Sequence, residues 1–531
     1  MEDLYHPRLK NKTYDAIVIG SGLGGLTTAA LFAKSKKKVL ILEKHYEPGG
    51  FTHTFKRKDF IWDVGVHYVG QMNKENAMMR KVFDYVTEGQ LQWTSMGDTY
   101  DKAIIENDEY SFVCGVENQI KEFVRHFPEE EEAIRKYYTL VGSMGTATAM
   151  FFGERSMPAF ISNLFGYFLR RKFNKFSDQT TYEALSKLTS NQKLISALCA
   201  QCGNYGLPPQ QSSFAMQAMI AEHYMDGGNY PVGGSGEIHK TIINSLKKNG
   251  GELALKAEVS EIIIKKGKAI GVKLRNGDEL FAGVIVSDAG ASNTYKKLIP
   301  STIKLPSTLT QKIQATKASI AHICLYVGLN KSDAELNLPK HNIWLYNSYE
   351  FDKEFKAFLN EPESEPPLAY ISFPSAKDPR WAKEKPGKAT IQVICAASYE
   401  WVKQWEDTRW QKRGADYESF KERLEQRLLE KLYSVVPQIK GHVVISEIST
   451  PLSTKHFSNH PTGEIYGLEH TPARFRIREL RVHTPIKNLY LTGQDLVTVG
   501  VGGALFSGVL AASSILKKNF LWNALKYKVS K

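Results

Sequence analysis

Three glycines near the start of the chain, Gly20, Gly22 and Gly25, have the spacing of a loop that binds phosphate groups. The first permits a tight turn, the second lets the backbone approach a pyrophosphate, and the third allows a helix to pack closely on a strand. A helix that begins at such a loop offers unpaired N–H groups and the positive end of its dipole. The spacing therefore predicts a dinucleotide site.

An acid and a glycine pair follow this loop. Glu43 is placed to accept hydrogen bonds from both hydroxyls of an adenosine ribose, and it disfavours a ribose that carries a 2′-phosphate. The acid alone does not distinguish NAD from FAD. Gly49 and Gly50 come shortly after it and would let the backbone run past a longer cofactor, an extension that plain NAD dehydrogenases lack. The combination favours FAD.

The elements that must position these residues follow in order. Residues 14–20 are a short apolar run typical of a buried parallel strand, residues 26–33 have a helical pattern rich in alanine, and residues 38–42 read as a second strand. Strand, glycines, helix, strand and acid together make a complete βαβ unit.

Two later segments have the same character. Residues 227–236 are a glycine-rich loop before a helix, and the β-rich stretch after that helix contains Val259. Near the C-terminus a strand at 488–492 leads into a second glycine-rich loop and an alanine-rich helix. The candidate residues of this last segment are Gly493, Asp495, Gly503 and Ala504. Either segment alone could be an ordinary α/β turn, but together with the first they favour a flavin site.

Eight motifs spread over almost the whole chain carry a family resemblance: residues 19–26, 42–45, 48–50, 63–68, 230–234, 371–379, 463–467 and 491–495. On these motifs the chain resembles the phytoene desaturase-like FAD oxidoreductases, whose architecture is that of the amine oxidases. The forms at 63–68 and 491–495 resemble more narrowly the branch of carotenoid isomerases and all-trans-retinol saturases (13,14-reductases).

The resemblance implies an α/β fold with a Rossmann-like FAD-binding domain that is discontinuous in sequence and an inserted α+β substrate domain. Residues 1–80, 225–305 and 455–531 would form the FAD-binding domain. Residues 81–224 and 306–454 would form the substrate-binding domain.

The resemblance also implies roles for single residues. The family's ADP-binding positions are matched by Gly20, Gly22, Gly25 and Glu43, and flanking contacts by Lys44 and Gly50. Val259 matches the residue whose backbone meets the adenine. Asp495 matches the acid that holds the ribityl or pyrophosphate region. The pair beside the flavin ring is matched by Gly503 and Ala504.

Candidates for proton delivery follow the Asp63 loop, which the resemblance places near the flavin. His67 is predicted to donate the proton that completes saturation of a double bond, with Tyr68 beside it. In the alternative interpretation the imidazole only hydrogen-bonds a loop carbonyl. Residues 222–224 (Glu-His-Tyr) are a second candidate group. The sequence shows no Ser-His-Asp set and no metal-ligand cluster, so the cofactor would carry the chemistry.

The first hypothesis is an FAD-dependent oxidoreductase that acts on carbon–carbon double bonds of a hydrophobic polyene, a retinoid or carotenoid, by saturation, desaturation or isomerisation. Two alternatives stay open: a flavoenzyme acting on a membrane fatty-acyl chain, and a flavin-bearing membrane-associated binding protein. No second nucleotide fingerprint is visible, so the electron donor is either NAD(P)H bound transiently or another protein.

The net charge of +13 and the segment 158–176 predict a membrane surface as a partner. This segment combines apolar residues at helical spacing (Phe160, Ile161, Leu164, Phe165, Phe168 and Leu169) with basic residues at its end (Arg170, Arg171, Lys172 and Lys175). A basic amphipathic helix of this kind can lie in a bilayer surface. In the alternative its apolar face packs on the core. Nucleic acid is not expected, because no binding signature accompanies the charge.

The N-terminus has no apolar h-region, so no signal peptide is expected. Residues 499–516 are apolar but rich in glycine and serine, and they are interpreted as a buried helix rather than a transmembrane span. The five cysteines indicate a reducing compartment, with Cys199 and Cys202 interpreted as buried rather than redox-active. These features predict a cytoplasmic protein attached peripherally to a membrane.

Overall fold

The computed structural model describes residues 3–529 of the chain. The strands are β1 (Tyr14–Ile19), β2 (Val39–Leu42), β3 (Thr54–Arg57), β4 (Phe60–Asp63), β5 (Val69–Gly70), β6 (Trp93–Ser95), β7 (Thr99–Ile105), β8 (Asp108–Val113), β9 (Gly228–Pro231), β10 (Glu252–Ala254), β11 (Val259–Lys265), β12 (Lys268–Leu274), β13 (Glu279–Ser287), β14 (Ala321–Leu329), β15 (Asn342–Tyr346), β16 (Leu368–Ser372), β17 (Ala389–Ala397), β18 (Val443–Ser449) and β19 (Leu489–Leu491). The α-helices are α1 (Leu23–Lys34), α2 (Met78–Thr87), α3 (Val116–His126), α4 (Glu131–Gly142), α5 (Met144–Arg155), α6 (Ala159–Ser177), α7 (Thr181–Leu185), α8 (Gln192–Leu198), α9 (Phe214–Tyr224), α10 (Gly236–Lys248), α11 (Ala291–Asn293), α12 (Ser307–Ala315), α13 (Phe351–Asn360), α14 (Pro374–Lys377), α15 (Trp381–Glu384), α16 (Ala415–Val435), α17 (Pro451–Ser458), α18 (Pro472–Phe475), α19 (Gly500–Leu516) and α20 (Phe520–Lys526).

The first sheet joins strands from three distant stretches of the chain. Its order is β10-β2-β1-β13-β12-β11, and β19 pairs with β13. The strands β10, β2, β1, β13 and β19 are mutually parallel, whereas β11, β12 and β13 form antiparallel hairpins. Ala16 and Val18 pack into one hydrophobic cluster with α1, α10 and α19, while Ile17 and Ile19 pack into another on the opposite face. Burial on both faces explains why β1 reads as a continuous apolar run.

The second sheet has the order β18-β14-β17-β16-β15-β7-β8 and is antiparallel except where β15 meets β7. Helix α16 covers one face through a cluster that contains Leu424, Leu428 and Leu432. On the other face Trp344, Tyr346 and Tyr370 pack towards α4, α5, α8 and α9. This helical layer and the sheet leave an apolar cavity, described below.

A small sheet links the two large units. Strand β9 pairs with β5 on one side and with β6 on the other. Because β5 begins at Val69, this pairing holds the preceding residues His67 and Tyr68 against the chain segment that leads into α10. The two candidate proton-delivery residues are therefore placed where the first and second sheets approach each other.

Helix α6 presents its apolar face outwards. Phe160, Leu164 and Phe168 are 74%, 72% and 68% exposed. Ser162, Gly166 and Arg170 face the protein instead, and the Arg170 guanidinium donates to Glu154 Oε1 at 2.9 Å. The alternative in which the apolar face packs on the core is thus wrong. The reason is that residues 162–170 are held by small and polar residues around the buried Glu154 carboxylate. Of the described apolar residues of α6, only Phe173 and Phe176, further along the helix, pack into the core.

No single helix within residues 3–529 is both long and apolar enough to cross a bilayer. The pair α19 and α20 satisfies the length and composition criteria jointly, but its two helices meet at 115°. Cys199 and Cys202 are both buried, and burial raises the pKa of the Cys202 thiol to about 12 and that of Cys199 well above its usual value. Thiolates at these positions are therefore rare at neutral pH.

Candidate functional site

A long cleft with a volume of about 980 Å³ runs along the carboxyl ends of the parallel strands in the first sheet. Gly20 follows β1, Glu43 follows β2 and Asp288 follows β13, and all three line the cleft. Ligands of open α/β sheets bind at this edge. The predicted cofactor residues that line it are Gly20, Gly22, Glu43, Lys44, Gly49, Gly50, Val259, Gly493, Asp495 and Ala504. Gly25 and Gly503 are the two that do not.

The glycine loop leaves no room for side chains. Gly20 has a φ of +96°, and a Cβ at Gly22 would lie 2.5 Å from Asp288 Oδ2. A Cβ at Gly25 would lie 2.4 Å from the carbonyl oxygen of Gly20, so that this glycine supports the loop from beneath rather than facing the cleft. The first turn of α1 can therefore bring its backbone close to a ligand in the cleft.

The acid and the glycine pair are held against this loop. Glu43 Oε2 accepts hydrogen bonds from the backbone N–H and the hydroxyl of Ser21 at 2.8 and 2.6 Å. Gly49 adopts a φ of +106° and Gly50 a φ of +55°, and the Gly49 N–H donates to the Ser21 carbonyl at 3.1 Å. The three predicted features of the N-terminal segment thus share one wall of the long cleft.

Asp288 is a residue of the site that the sequence did not single out. Its Oδ2 accepts a hydrogen bond from the Gly25 N–H at 2.9 Å, and Cβ atoms built at Gly22, Gly24 and Gly493 would all meet its carboxyl group. Burial, together with the nearby acids Glu43 and Asp495, raises the pKa of Asp288 to about 8. The carboxyl is therefore mostly protonated at neutral pH and would not repel a phosphate beside it.

Asp495 ties the C-terminal segment to two others. Its Oδ2 accepts from the Ala291 N–H at 2.8 Å and its Oδ1 from the Leu468 N–H at 3.0 Å. The two residues predicted to lie beside the flavin ring have different surroundings. Ala504 lines the long cleft, whereas Gly503 lines the apolar cavity. A Cβ at Gly503 would collide with the Thr498 carbonyl oxygen, which explains why the fourth residue of α19 is glycine.

The apolar cavity has a volume of about 530 Å³ and lies between the second sheet and the helical layer. Its walls are mainly aromatic and aliphatic, among them Phe152, Met216, Trp344, Tyr370 and Leu510. It shares lining residues with the long cleft, namely Gly65, Val66, His322, Ile465, Tyr466, Gly500 and Val501. A long cofactor in the cleft would therefore present one end to the apolar cavity.

Two histidines stand at this junction. His67 lines the cavity, and among the described residues neither of its ring nitrogens has a hydrogen bond of normal geometry. The Nδ1 of His322 is likewise buried without a partner. Burial lowers the pKa of His67 to about 3 and that of His322 to about 4. Both rings are therefore neutral at physiological pH, and the alternative bond from His67 to a loop carbonyl is not observed.

Tyr68 is engaged differently. Its hydroxyl donates to Asp101 Oδ2 at 2.8 Å and accepts from the Asn204 amide at 3.0 Å. Its ring stacks on that of Tyr224 at 4.3 Å between centroids. Burial raises the pKa of Tyr68 well above its usual value. The hydroxyl is thus already saturated, and the ring rather than the hydroxyl forms part of the cavity wall.

A buried lysine fixes the backbone under His67. Lys377 Nζ donates to the His67 carbonyl oxygen at 3.0 Å, to Ser372 Oγ at 2.8 Å and to Asn342 Oδ1. The Asn342 amide in turn donates to Asp101 Oδ1 at 2.7 Å. Burial lowers the pKa of Lys377 to about 7 and raises that of Asp101 to about 6. The hydrogen-bonded chain thus joins the carbonyl of His67 to the hydroxyl of Tyr68.

The three residues of the second candidate group, 222–224, differ in their partners: His223 and Tyr224 contact other residues, whereas the Glu222 carboxyl faces the cavity. His223 Nε2 accepts a hydrogen bond from the Gly70 N–H at 2.9 Å, and Tyr224 is stacked on Tyr68. Glu222 lines the apolar cavity beside them. The predicted roles of all these residues in catalysis stay predictions.

Comparisons with known proteins agree with this geometry. Residues 23–516 match the sequence model of the flavin containing amine oxidoreductases. The all-trans-retinol 13,14-reductase of Danio rerio is 34% identical over 528 residues, which cover 95% of this chain and 86% of that protein. Prolycopene isomerase 1 of an Oncidium hybrid cultivar is 27% identical, with 94% and 84% covered.

Among solved structures, the cyclohexylamine oxidase of Brevibacterium oxydans superposes with a TM-score of 0.62 at 14% identity, covering 95% of this chain and 99% of that one. The predicted α/β fold of the amine oxidase type and the predicted family resemblance are both confirmed. The domain boundaries predicted from the sequence stay a prediction.

Proposed function

This chain belongs to the flavin-containing amine oxidoreductase family and is an FAD-dependent oxidoreductase, and from that premise we propose that it saturates, desaturates or isomerises carbon–carbon double bonds of a hydrophobic polyene, a retinoid or a carotenoid. The observation that carries the proposal is the apolar cavity of about 530 Å³, which meets the cofactor cleft at Val66 and His322 and is lined by His67 next to that opening. Its volume lies within the range of about 300–1,000 Å³ that small-molecule sites occupy.

The residues that line the apolar cavity suit such a substrate. Trp344, Tyr370 and Tyr466 offer ring faces to a conjugated chain, and the apolar walls exclude water from the reacting bond. Bound FAD, once reduced by its electron donor, would supply the electron pair that saturation requires. His67 supplies or removes a proton at a ring nitrogen, since neither nitrogen has a hydrogen bond of normal geometry to the described residues. The donor of electrons to the cofactor is NAD(P)H or another protein.

The related proteins support saturation or isomerisation over desaturation. The names of two relatives describe the reduction of all-trans-retinol at the 13,14 position and the isomerisation of prolycopene. Both substrates are long conjugated chains that match the aromatic cavity in chemistry.

The test is anaerobic. The bound FAD is reduced chemically, all-trans-retinol, prolycopene and an unsaturated phospholipid are offered in turn, and flavin reoxidation and polyene absorbance are followed together. Product formation from a polyene is the expected result, with flavin reoxidation if the bond is saturated. Conversion of the acyl lipid alone would replace this proposal with the fatty-acyl alternative. Failure of every substrate to react would favour the binding protein instead.

We further propose that the protein attaches peripherally to a membrane through α6. The outward Phe160, Leu164 and Phe168 form an exposed apolar face, and α20 exposes Trp522 and Leu525. Helix α5, which packs beside α6, contributes Phe152 to the apolar cavity. A polyene dissolved in the bilayer would then have a short path to the cavity.

Replacing Phe160, Leu164 and Phe168 together with serine should weaken binding to anionic vesicles at least about a hundredfold, because each ring or branched chain contributes on the order of 1 kcal/mol when it leaves water. Co-sedimentation with vesicles of phosphatidylcholine and phosphatidylserine measures this. The matched control replaces Phe281 and Val444, which are 44% and 48% exposed on other elements. Equal sedimentation of the α6 variant and the wild type would contradict the attachment.

A further inference from the structure

The wall of the apolar cavity contains several polar side chains without a hydrogen-bond partner within residues 3–529, and two of its polar side chains lie on neighbouring helices. Thr148 lies on α5 and Glu222 on α9, and both line the cavity. The Thr148 hydroxyl oxygen is buried, and among residues 3–529 it makes no hydrogen bond. A helical threonine usually returns its hydroxyl to the carbonyl four residues earlier, which relieves this situation. Here the hydroxyl is left for another partner.

The Glu222 carboxyl lies against the same face of α5. A Cβ built at Gly145 would be 2.8 Å from Glu222 Oε1. Gly145 and Thr148 are three residues apart and therefore share a helix face. In the described part of the chain the main-chain carbonyl of Glu222 accepts from the Met225 N–H, but no group donates to its carboxyl and no cation pairs with it. The absence of a side chain at Gly145 is what leaves room for the carboxyl.

The surroundings disfavour a charge on this carboxyl. Burial alone raises the pKa of Glu222 to about 6, and no compensating neighbour lowers it. A polar group that is removed from water without a hydrogen-bond partner costs on the order of 1–3 kcal/mol. A ligand group that satisfies both Glu222 and Thr148 would remove that cost when it binds.

We propose that Glu222 and Thr148 form a subsite for the hydroxyl group at one end of the polyene. An alcohol can donate to the Glu222 carboxylate and accept from the Thr148 hydroxyl at the same time, which a hydrocarbon cannot do. This inference rests on the proposed function and narrows it to hydroxylated polyenes. The subsite selects against polyenes of equal length that carry no O–H, because the two protein groups would then stay unpaired.

The test compares all-trans-retinol with its methyl ether, which keeps the polyene and the oxygen but has no O–H to donate. In the wild type the KM for the ether should exceed that for retinol by about 10- to 100-fold, since the hydrogen bond lost is one to a charged group. In Glu222→Leu the KM for retinol should rise to that of the ether, so that discrimination disappears. Glu222→Gln, whose amide oxygen still accepts, should recover part of the discrimination.

Binding is measured as well as turnover, by the fluorescence of retinol added to the oxidised holoenzyme. Thr148→Val, which removes only the hydroxyl, should weaken retinol binding about tenfold and leave the FAD content unchanged. Glu132→Leu and Thr139→Val are matched controls, because both positions are exposed on α4. Their affinities for retinol should equal that of the wild type.

The outcomes separate the two proposals. If the wild type converts neither retinol nor its ether, nor any other polyene, the proposed function fails. If it converts both with the same KM, or if Glu222→Leu still discriminates between them, only the subsite is overturned. Tighter binding of the corresponding amine than of retinol would also overturn the alcohol assignment, because it would show that the carboxylate recognises a cation.

Discussion

The Gly25→Ala variant is expected to purify almost free of FAD. A Cβ at this position would lie 2.4 Å from the carbonyl oxygen of Gly20, and the contact is with backbone that no rotamer change can move. The first turn of α1 must then shift away from the loop, which removes the N–H groups that a pyrophosphate needs. Overpacking of this kind costs about 1–3 kcal/mol, and cofactor affinity should fall by about 10- to 100-fold.

The absorbance of flavin relative to protein measures this loss, and titration with added FAD gives the affinity. Gly142→Ala is the matched control, since it introduces the same methyl group into a helix where no atom lies within 4 Å. It should keep its full flavin content. A Gly25→Ala protein that retains one FAD per chain at wild-type affinity would show that the loop does not hold the cofactor as we propose.

The His67→Ala variant is expected to retain FAD but to lose about 100- to 10,000-fold in kcat, the range that general acid–base groups supply. The ring is outside the long cleft and its nitrogens have no partner in the described residues, so the loss should fall on the reacting bond rather than on the cofactor. Stopped-flow reoxidation of the reduced enzyme by the polyene measures the step. His442→Ala, at a position remote from both cavities, serves as the control.

The protonation state sharpens this prediction. Because burial lowers the pKa of His67 to about 3, the imidazole stays neutral above that pH and gains a proton only in strong acid. The proton it delivers therefore comes from a neutral N–H. An imidazole that titrates near its ordinary pKa of about 6.5 in the holoenzyme, seen by NMR of labelled histidine, would disagree with this environment. Wild-type turnover by His67→Ala would disprove the role altogether.

The parts of the site formed by residues close together in the sequence were predictable from the sequence alone. The glycine loop, Glu43 and the pair Gly49–Gly50 lie within 31 residues, and turn geometry and strand ends fix their relation. Asp288 reaches the same loop from 263 residues away along the chain, and no local pattern marks it. It follows a strand that pairs with β1, so only the sheet order reveals it.

The same limit applies to the substrate side. The motif at 63–68 indicated His67 and Tyr68. The partners that distinguish them come from elsewhere: Asp101 lies on β7 of the second sheet and Lys377 on helix α14. Periodicity predicted the apolar face of α6, yet its direction depended on where Glu154 lies. The elements that pack against an amphipathic helix decide which of its faces is buried. The sequence of the helix itself does not identify those elements.

The first sheet has a consequence for how the holoenzyme is made. The loop with Gly493 and Asp495, which follows β19, forms one wall of the long cleft, and it is synthesised after the other strands of the first sheet. Strands β1, β2 and β13 can pair earlier, but until residue 504 emerges the cofactor meets an incomplete wall. Flavin loading should therefore follow the synthesis of this segment. When flavin is scarce in a cell, the chain should accumulate as apoprotein whose empty cofactor cleft leaves apolar surface exposed to solvent. The apoprotein should then be a preferred substrate for chaperones and proteases.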